Sequence, residues 1–470
     1  MKKTPWLITA AIGLMIALLA AGVPALADET TDEDQLFSGE DTVVSQDQVT
    51  DDNVDDELKG KHLGFSGQIN ANLGYINYSR DSDWLLGYKI KNHVPVYDAD
   101  QLSNQISADL FVDIRLTKGI KGFLSLGVNY YPDGIDVVNW IYNLENPGPP
   151  PEKISFLSKE YIQLNIKEFF VDTNWNNKAY FRIGKQYLKW GQGYFWNPTD
   201  FINLSYKDFF NMNAIQEGVF GAKITIPSGV KQNIYLFANM NNVKNFSSAS
   251  LAGKYEFLIK NTEMSFSTLI QKSQTPFFGF DITGRMWQLD YHGEIGFKDV
   301  ANYPILDYST LLPLARSGEL SPQASFGVTK FFTVGDIKDK VMVNAEFFYN
   351  QAGYDRNIIE RIATESNLTA KETAQELYMM SYRPFANSKY YMAIFSSVQK
   401  FIGPEMTLNL NTMMNLVDSS AVLTAGVGYV PALTDLTVNF NINAFLGGPN
   451  TEATFSGNRW SLSLGTKIVF

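Results

Sequence analysis

The chain has 470 residues, about 45% apolar and 14% aromatic, with a formal charge of −11 and no cysteine. The acidic balance argues against nucleic acid as a partner, and an exported chain without disulfides needs a large cooperative framework to stay folded. Length alone suggests two or three soluble domains, an expectation that the patterning overturns.

Residues 1–27 begin with Lys2 and Lys3, run apolar from Leu7 to about Val23, and end in the small-residue run Ala25-Leu26-Ala27 before Asp28. This is the layout of a cleaved secretory signal peptide, because no positively charged stop-transfer flank follows the apolar run. After it, no apolar run of about 18 residues occurs, so no helical membrane span is expected. Residues 28–61 hold thirteen acidic residues and no Lys or Arg between Asp28 and Glu57. Such a segment has too little apolar surface to offset its ordering entropy and is expected to be a disordered acidic periplasmic linker. The Gly and the ligand spacing of a calcium-binding EF-hand are missing from it.

Residues 62–470 are dominated by strict alternation, the period of strands with two unlike faces. In "FSGQINANLGY" Phe65, Ile69, Ala71, Leu73 and Tyr75 alternate with Ser66, Gln68, Asn70 and Asn72. Strands are predicted over 63–79, 103–117, 121–131, 160–175, 178–188, 215–226, 230–242, 251–260 and 262–272. The series continues over 278–285, 288–298, 322–333, 340–351, 388–402, 405–416, 419–430, 434–446 and 459–470. Many runs reach the length of a tilted strand crossing a bilayer. Connections after even-numbered strands are mostly tight, whereas nearly all the long ones follow odd-numbered strands, as in outer-membrane barrels. The predicted fold is therefore an all-β transmembrane antiparallel barrel of 18 strands, or 16 if 278–285 and 288–298 are one bent strand. An even count puts both termini at the periplasmic rim.

The closing run "NRWSLSLGTKIVF" puts Trp460, Leu462, Leu464, Ile468 and the terminal Phe470 on one face. It resembles the assembly signal of Gram-negative outer-membrane barrels, which implies a cell outer-membrane location, contact with its lipid and lipopolysaccharide, and the barrel-assembly machinery as a partner. A barrel of this size leaves an aqueous channel. Its inward positions include Asn70, Asn72, Asn409, Asn411, Asn439, Asn441 and Asn443, with Asp109, Asp113, Arg115 and Arg182 adding mixed charge. No single-sign ladder marks an anion pore, so small polar solutes, sugars among them, suit it best. Asn that merely wets the wall of any such barrel is the plainer reading.

Two segments on the long-loop side stand out. Within 352–387, "NLTAKETAQELYMM" has a helical pattern in which Thr369 and Glu372 have capping-box spacing. The other is the loop 189–214, where Gly191 and Gly193 loosen the preceding strand and Asn197-Pro198 starts a turn. The pattern G-K-Q-x3-W-G-x5-N-P-x-D, formed by Gly184, Lys185, Gln186, Trp190, Gly191, Asn197, Pro198 and Asp200, resembles a motif of porin-like outer-membrane barrels of uncharacterised specificity. The resemblance implies that this loop folds back into the barrel and narrows it. Trp190, Tyr194 and Trp196 would then bury against the inner wall, and Arg182, Lys185, Lys189, Asp200, Lys207 and Asp208 would set the charge of the constriction. Aromatics that only wedge the loop in place are the competing reading.

Catalysis finds little support, since His62, His93 and His292 lie in no G-x-S-x-G or H-E-x-x-H context. Neither a metal nor a cofactor site is indicated. The expected function is passive diffusion of small polar solutes through one barrel or a homotrimer, with a surface receptor or adhesin as the alternative.

Overall fold

The computed structural model describes residues 63–78, 101–117, 120–132, 161–203, 207–212, 214–241, 243, 248–272, 274–299, 305–314, 319–432 and 434–470. The predicted signal peptide and acidic linker, with His62 and His93, lie outside the described residues. The compact unit is built from residues 62–332 and 339–470. The segment 333–338, taken by itself, contains a turn with Gly335 at φ +60°.

Eighteen strands form one sheet. They are β1 (Leu63–Tyr78), β2 (Gln101–Thr117), β3 (Ile120–Tyr131), β4 (Tyr161–Trp175), β5 (Ala179–Gln186), β6 (Val219–Pro227), β7 (Gln232–Asn239), β8 (Ser250–Ile259), β9 (Thr262–Gln271), β10 (Phe277–Met286) and β11 (Leu289–Asp299). After a short ribbon of β12 (Ile305–Leu306) and β13 (Pro313–Leu314), the sheet resumes with β14 (Leu320–Val334) and β15 (Ile337–Asn350). It ends with β16 (Tyr390–Gln399), β17 (Met406–Asn415), β18 (Ser420–Tyr429), β19 (Leu436–Leu446) and β20 (Asn458–Val469). The count settles on 18 because β10 and β11 are separate strands, turned at Trp287, whose φ is +59°.

The sheet closes on itself. β1 pairs antiparallel with β20, and Gly67 and Phe470 exchange backbone hydrogen bonds at 2.8 and 3.0 Å. Closure leaves no edge, which hydrocarbon demands because it offers peptide groups no partner. Alternation then sorts the side chains. Phe65, Leu73, Leu164, Ile183, Phe266, Phe326, Phe440 and Leu464 stand exposed on the outside, whereas Asp109, Lys254, Asp281, Glu294 and Glu346 are buried on the inside. This is the apolar-out, polar-in arrangement of a transmembrane barrel. One strand breaks phase. The β3–β4 register shifts so that Ser125 opposes Glu168 and Leu126 opposes Ile166. The extra residue at this bulge, Lys167, keeps Ile162, Leu164 and Ile166 outward and also turns Phe169 and Val171 outward beyond it.

One rim carries tight turns. Asn176 and Asn177 both have positive φ between Trp175 and Lys178, the geometry of a two-residue primed hairpin. The other rim carries the long connections. In 351–389 two helices form, α1 (Ile358–Ala363) and α2 (Leu368–Ser381). The cap of α2 differs from the predicted one: Asn367 accepts from the Ala370 amide, and Thr369 lies inside the first turn. Asn is the better N-cap because its short carbonyl reaches the N3 amide, so the helix starts two residues earlier than the Thr369 and Glu372 spacing suggests. Ile358, Ile359 and Ile362 of α1 and Ala374, Tyr378 and Met379 of α2 pack with Leu306, Leu311 and Phe455 into a separate apolar cluster.

Adjacent residues on opposite faces give a direct test of the orientation. Phe440→Lys should destabilise the barrel in lipid by about 2–4 kcal/mol, whereas Asn441→Lys should change it by under about 1 kcal/mol. Denaturant unfolding of both variants in vesicles would measure the contrast.

Candidate functional site

The connection from β5 to β6 is fixed from its first residue. Gln186 is fully buried and its side-chain amide donates to the Gly221 carbonyl at 3.3 Å, while the Tyr187 amide donates to Glu168 Oε1 at 2.7 Å. The chain then crosses to strands far from it in sequence. Glu294 on β11 accepts the Gly193 amide (2.6 Å) and the Gln192 amide on Oε1, and the Thr199 amide (3.1 Å) and hydroxyl (2.7 Å) on Oε2. Glu346 on β15 accepts the Phe195 amide (3.0 Å) and the Trp196 amide (2.7 Å). Two wall carboxylates therefore hold five backbone amides and a hydroxyl of the loop against the inner face. Beside Glu346, His292 Nε2 lies 3.4 Å from Oε2.

This contact explains Gly191, whereas Gly193 is required by the loop's own Trp196 carbonyl, which a Cβ would meet at 1.8 Å. Gly191 has φ +92°, and a Cβ on it would meet both Glu294 oxygens at 2.8 and 2.9 Å. On the wall, a Cβ at Gly296 would meet the Pro198 carbonyl at 2.2 Å, so the strand itself is cut away where the turn presses against it.

Aromatic burial completes the docking. Trp196 stacks on Phe348 with ring centroids 5.3 Å apart and planes 7° from parallel, and its indole N–H donates to the Phe385 carbonyl at 2.8 Å. Phe195 and Phe209 pack with Phe395, Tyr391, Met413 and Val422. Trp190 belongs to a second cluster with Leu188, Ile202, Val219, Phe237 and Leu269. Tyr194 stays more exposed, its ring 4.8 Å from that of Phe395.

Most of the predicted constriction charges fold the loop or the wall. Lys207 Nζ donates to the Gly193 and Tyr194 carbonyls at 3.0 and 2.6 Å. Asp200 accepts from the amides of Ile202 and Asn203 and from the Asn203 side chain, and Asp208 accepts from the Phe210 amide. Arg182 makes a two-pronged pair with Asp172 at 2.7 and 2.8 Å over the Phe170 ring. Lys189 is exposed. Lys185 is a correction. Its register partners Phe169 and Phe220 are exposed on the outer face, and its Nζ donates to the Ile166 carbonyl and pairs with Glu217. Alternation forces this, since Arg182, Gly184 and Gln186 take the inward phase.

The predicted lumen residues share one face. Asp109 binds Gln68 (2.8 Å) and Lys167 (2.5 Å), and Asp113 binds Lys121 (2.9 Å). Arg115 lies 3.8 Å from Asp113 close to the β2–β3 turn, half exposed. Asn70 donates to Ser107, Asn441 to Ser463 and Asn443 to Ser461, and Asn443 accepts from Thr424. Asn72, Asn409, Asn411 and Asn439 fall in register with these. At the closing strand, Trp460 and Phe470 face outward, Trp460 packing on Tyr75 with centroids 5.2 Å apart.

The residues that sequence reasoning missed are the acceptors. Glu168, Glu294 and Glu346 are acids at inward positions within strands, and that phase was the available signal. A fourth acceptor, Glu452, lies in a connection and joins three connections at the loop rim. It accepts the Phe385 amide (2.9 Å), the Tyr391 hydroxyl (2.7 Å) and the Asn415 side chain (2.7 Å), and its own amide donates to Asp418. Burial, with Asp418 nearby, pushes its carboxyl up to about 7.

No protein-family model matches the sequence, and no curated protein matches it. Solved structures do. Acinetobacter baumannii OccAB1 is similar with a TM-score of 0.51 at 12% identity, over 86% of this chain and 96% of that one. Pseudomonas aeruginosa OccK9 (OpdG) is similar with a TM-score of 0.50 at 9% identity, over 87% and 98%. A BenF-like porin from Pseudomonas fluorescens Pf-5 has a TM-score of 0.49 at 9% identity, over 87% and 99%. At such identities the likeness is one of fold, that of a closed 18-stranded transmembrane barrel.

Two outcomes follow from the acceptors. Glu346→Ala should leave the Phe195 and Trp196 amides without their charged acceptor, a loss of about 3 kcal/mol, and speed hydrogen exchange at these amides roughly a hundredfold. At the rim, a Glu452 carboxyl raised from 4.5 to about 7 binds its proton more tightly in the folded state. Its stabilisation is fully present below 4.5 and is lost as pH rises through 7, a swing of about 3 kcal/mol. Residues 447–457 should therefore resist protease better at pH 5 than at pH 8, and Glu452→Gln should flatten that difference.

Proposed function

We propose that the protein is an outer-membrane channel for passive diffusion of small polar solutes, saccharides among them, in which the loop between β5 and β6 forms the constriction. The observation that carries this reading is the capture of the loop by Glu294 and Glu346, since it keeps a bulky aromatic segment against the inner wall. An 18-stranded barrel is too wide for wall side chains to fill, so without such a segment it would be an open pore. Tyr194 of the loop and Arg182 of the wall then line the opening, while the buried Trp196 and the carbonyl-bound Lys207 fix the shape of the loop that narrows it. A cavity of about 150 Å³ between the loop and residues 381–387 is lined by Lys207, Lys298 and Arg383 and also by Asp200 and Asp299. With both signs of charge present it favours neither anions nor cations.

In this proposal the chain is exported by its signal peptide, folded by the barrel-assembly machinery through the Trp460 to Phe470 signal, and set in outer-membrane lipid and lipopolysaccharide as one barrel or a homotrimer. Catalysis has no part in it. A second reading, a receptor or adhesin on a barrel scaffold, draws on the apolar cluster of α1 and α2, which gives the loop rim a surface with its own core.

Deleting residues 191–210 should raise single-channel conductance in planar bilayers. Unchanged conductance from a barrel that keeps its heat-modifiable gel mobility would refute the constriction, and a wild-type barrel that never conducts would favour the receptor.

A further inference from the structure

Inside the barrel the loop does not rest on a uniform wall. One inward step below Asn415 and Ser420 at the loop rim, the inward residues of β17, β18 and β19 are Met413, Val422 and Phe445, which share one register row. Met413 and Val422 pack with Phe195 and Phe209, and Phe445 lies with its ring 6.0 Å from that of Phe210. One inward step toward the short-turn rim, the row becomes Asn411, Thr424, Asn443 and Ser461. The next is Asn409, Gly426, Asn441 and Ser463, and the one after it is Thr407, Gly428, Asn439 and Gly465, continued by Asn72 and Gln105 on β1 and β2. On β17 to β20 three consecutive rows are thus amide, hydroxyl or glycine, without a charge; on β1 the first of them meets Ile76, while the second continues through Gly74 and Ser103. Lys467 appears only in the fourth, with Thr437, Asn70 and Ser107.

The glycines in these rows have a use. A Cβ at Gly426 would meet Asn441 Oδ1 at 2.2 Å, one at Gly465 would meet Asn72 Oδ1 at 2.6 Å, and one at Gly428 would meet Asn439 Oδ1 at 3.0 Å. Each of these amides lies flat over the neighbouring glycine, where any other residue would lift it into the lumen. The resulting wall is smooth, and its amides carry donors and carbonyl acceptors at fixed positions, held in place where Asn443 bonds Ser461 and Thr424 and Asn441 bonds Ser463. Rows two residues apart repeat at roughly 7 Å along the strands.

We infer that these rows, on β17 to β20 and continuing onto β1 and β2 below the edge of the loop, are the solute track, and that they select neutral polyhydroxylated solutes. The inference rests on the channel reading. A hydroxyl is both donor and acceptor, so a sugar exchanges its water hydrogen bonds for those of the amides row by row. An ion leaves its hydration shell for groups that carry no opposing charge, and gains nothing in return. The charged half of the lumen is less suited to this task. Its acids are either engaged by the loop, as Glu294 and Glu346 are, or paired with wall cations, as Asp109, Asp113 and Asp172 are.

The test uses the full-length protein in liposomes and planar bilayers, with maltose, gluconate and tetraethylammonium as probes. Maltose should enter faster than either ion and should produce concentration-dependent current noise in KCl. Asn409→Leu with Asn441→Leu, near in volume but without donors or acceptors, should slow maltose about fivefold or more while KCl conductance stays close to wild type. Asn441→Asp with Asn443→Asp, equal in shape but charged, should shift preference toward tetraethylammonium. Maltose no faster than the ions in the wild type, or maltose entry unmoved by both variants in channels that still pass KCl, would overturn the amide track and leave the channel standing. A wild-type barrel that passes no KCl would overturn the channel and the track together.

Discussion

Peptide groups find no hydrogen-bond partner in hydrocarbon, and the chain meets that constraint by pairing its first strand with its last. The bonds between Gly67 and Phe470 finish a ladder that runs through all eighteen strands. Once the ladder is closed, every side chain has only two choices, lipid or lumen, and a period of two in the sequence decides between them. The bulge at Lys167 shows how strict this is. Because one extra residue is inserted there, Lys167 and Glu168 can both serve the interior while the apolar residues on either side of them keep facing out.

Closure creates a second difficulty, since a sheet this wide encloses more space than its own side chains occupy. The β5–β6 loop enters part of that space, and its backbone must then be satisfied far from bulk water. Burying a carboxylate alone costs several kcal/mol, and so does burying unpartnered amides. Placing Glu294 and Glu346 opposite the amides of residues 192–199 lets each deficit offset the other, at about 1.5–3 kcal/mol for every charge-assisted bond. Stacking of Trp196 on Phe348 adds dispersion where the bonds have already fixed the geometry. The same device recurs at the rim, where Glu452 gathers donors from the β15–β16 connection and from the ends of β16 and β17.

Much of this was legible in one dimension. All eighteen strands fall within a few residues of the alternating runs, and the split of tight turns from long loops follows their parity. The aromatic, glycine-bearing loop was also visible, because "WGQGYFWNPTDFIN" cannot continue a strand. What alternation does not contain is pairing across the lumen. Glu346 lies 150 residues from Trp196, and nothing local marks it as the partner. Lys185 shows the opposite error, a charge assigned to the pore by its neighbourhood although its phase points outward. The α2 cap was misplaced for a related reason, since Asn367 and Thr369 are both plausible caps until the backbone shows which one stands outside the helix.

The way the loop is held has a consequence for how the protein can change. Glu294 and Glu346 grip main-chain amides, which every residue but proline supplies, so these bonds do not depend on the side chains at Gln192 and Tyr194, whose own contacts with Glu263 and Phe395 are additional. Those positions are free to vary in size and charge without loosening the anchor, provided Gly191 and Gly193 keep the backbone path. If the loop is the constriction proposed above, selectivity and folding are written in different parts of the same segment, and mutational drift can retune the opening of a barrel whose assembly it leaves untouched.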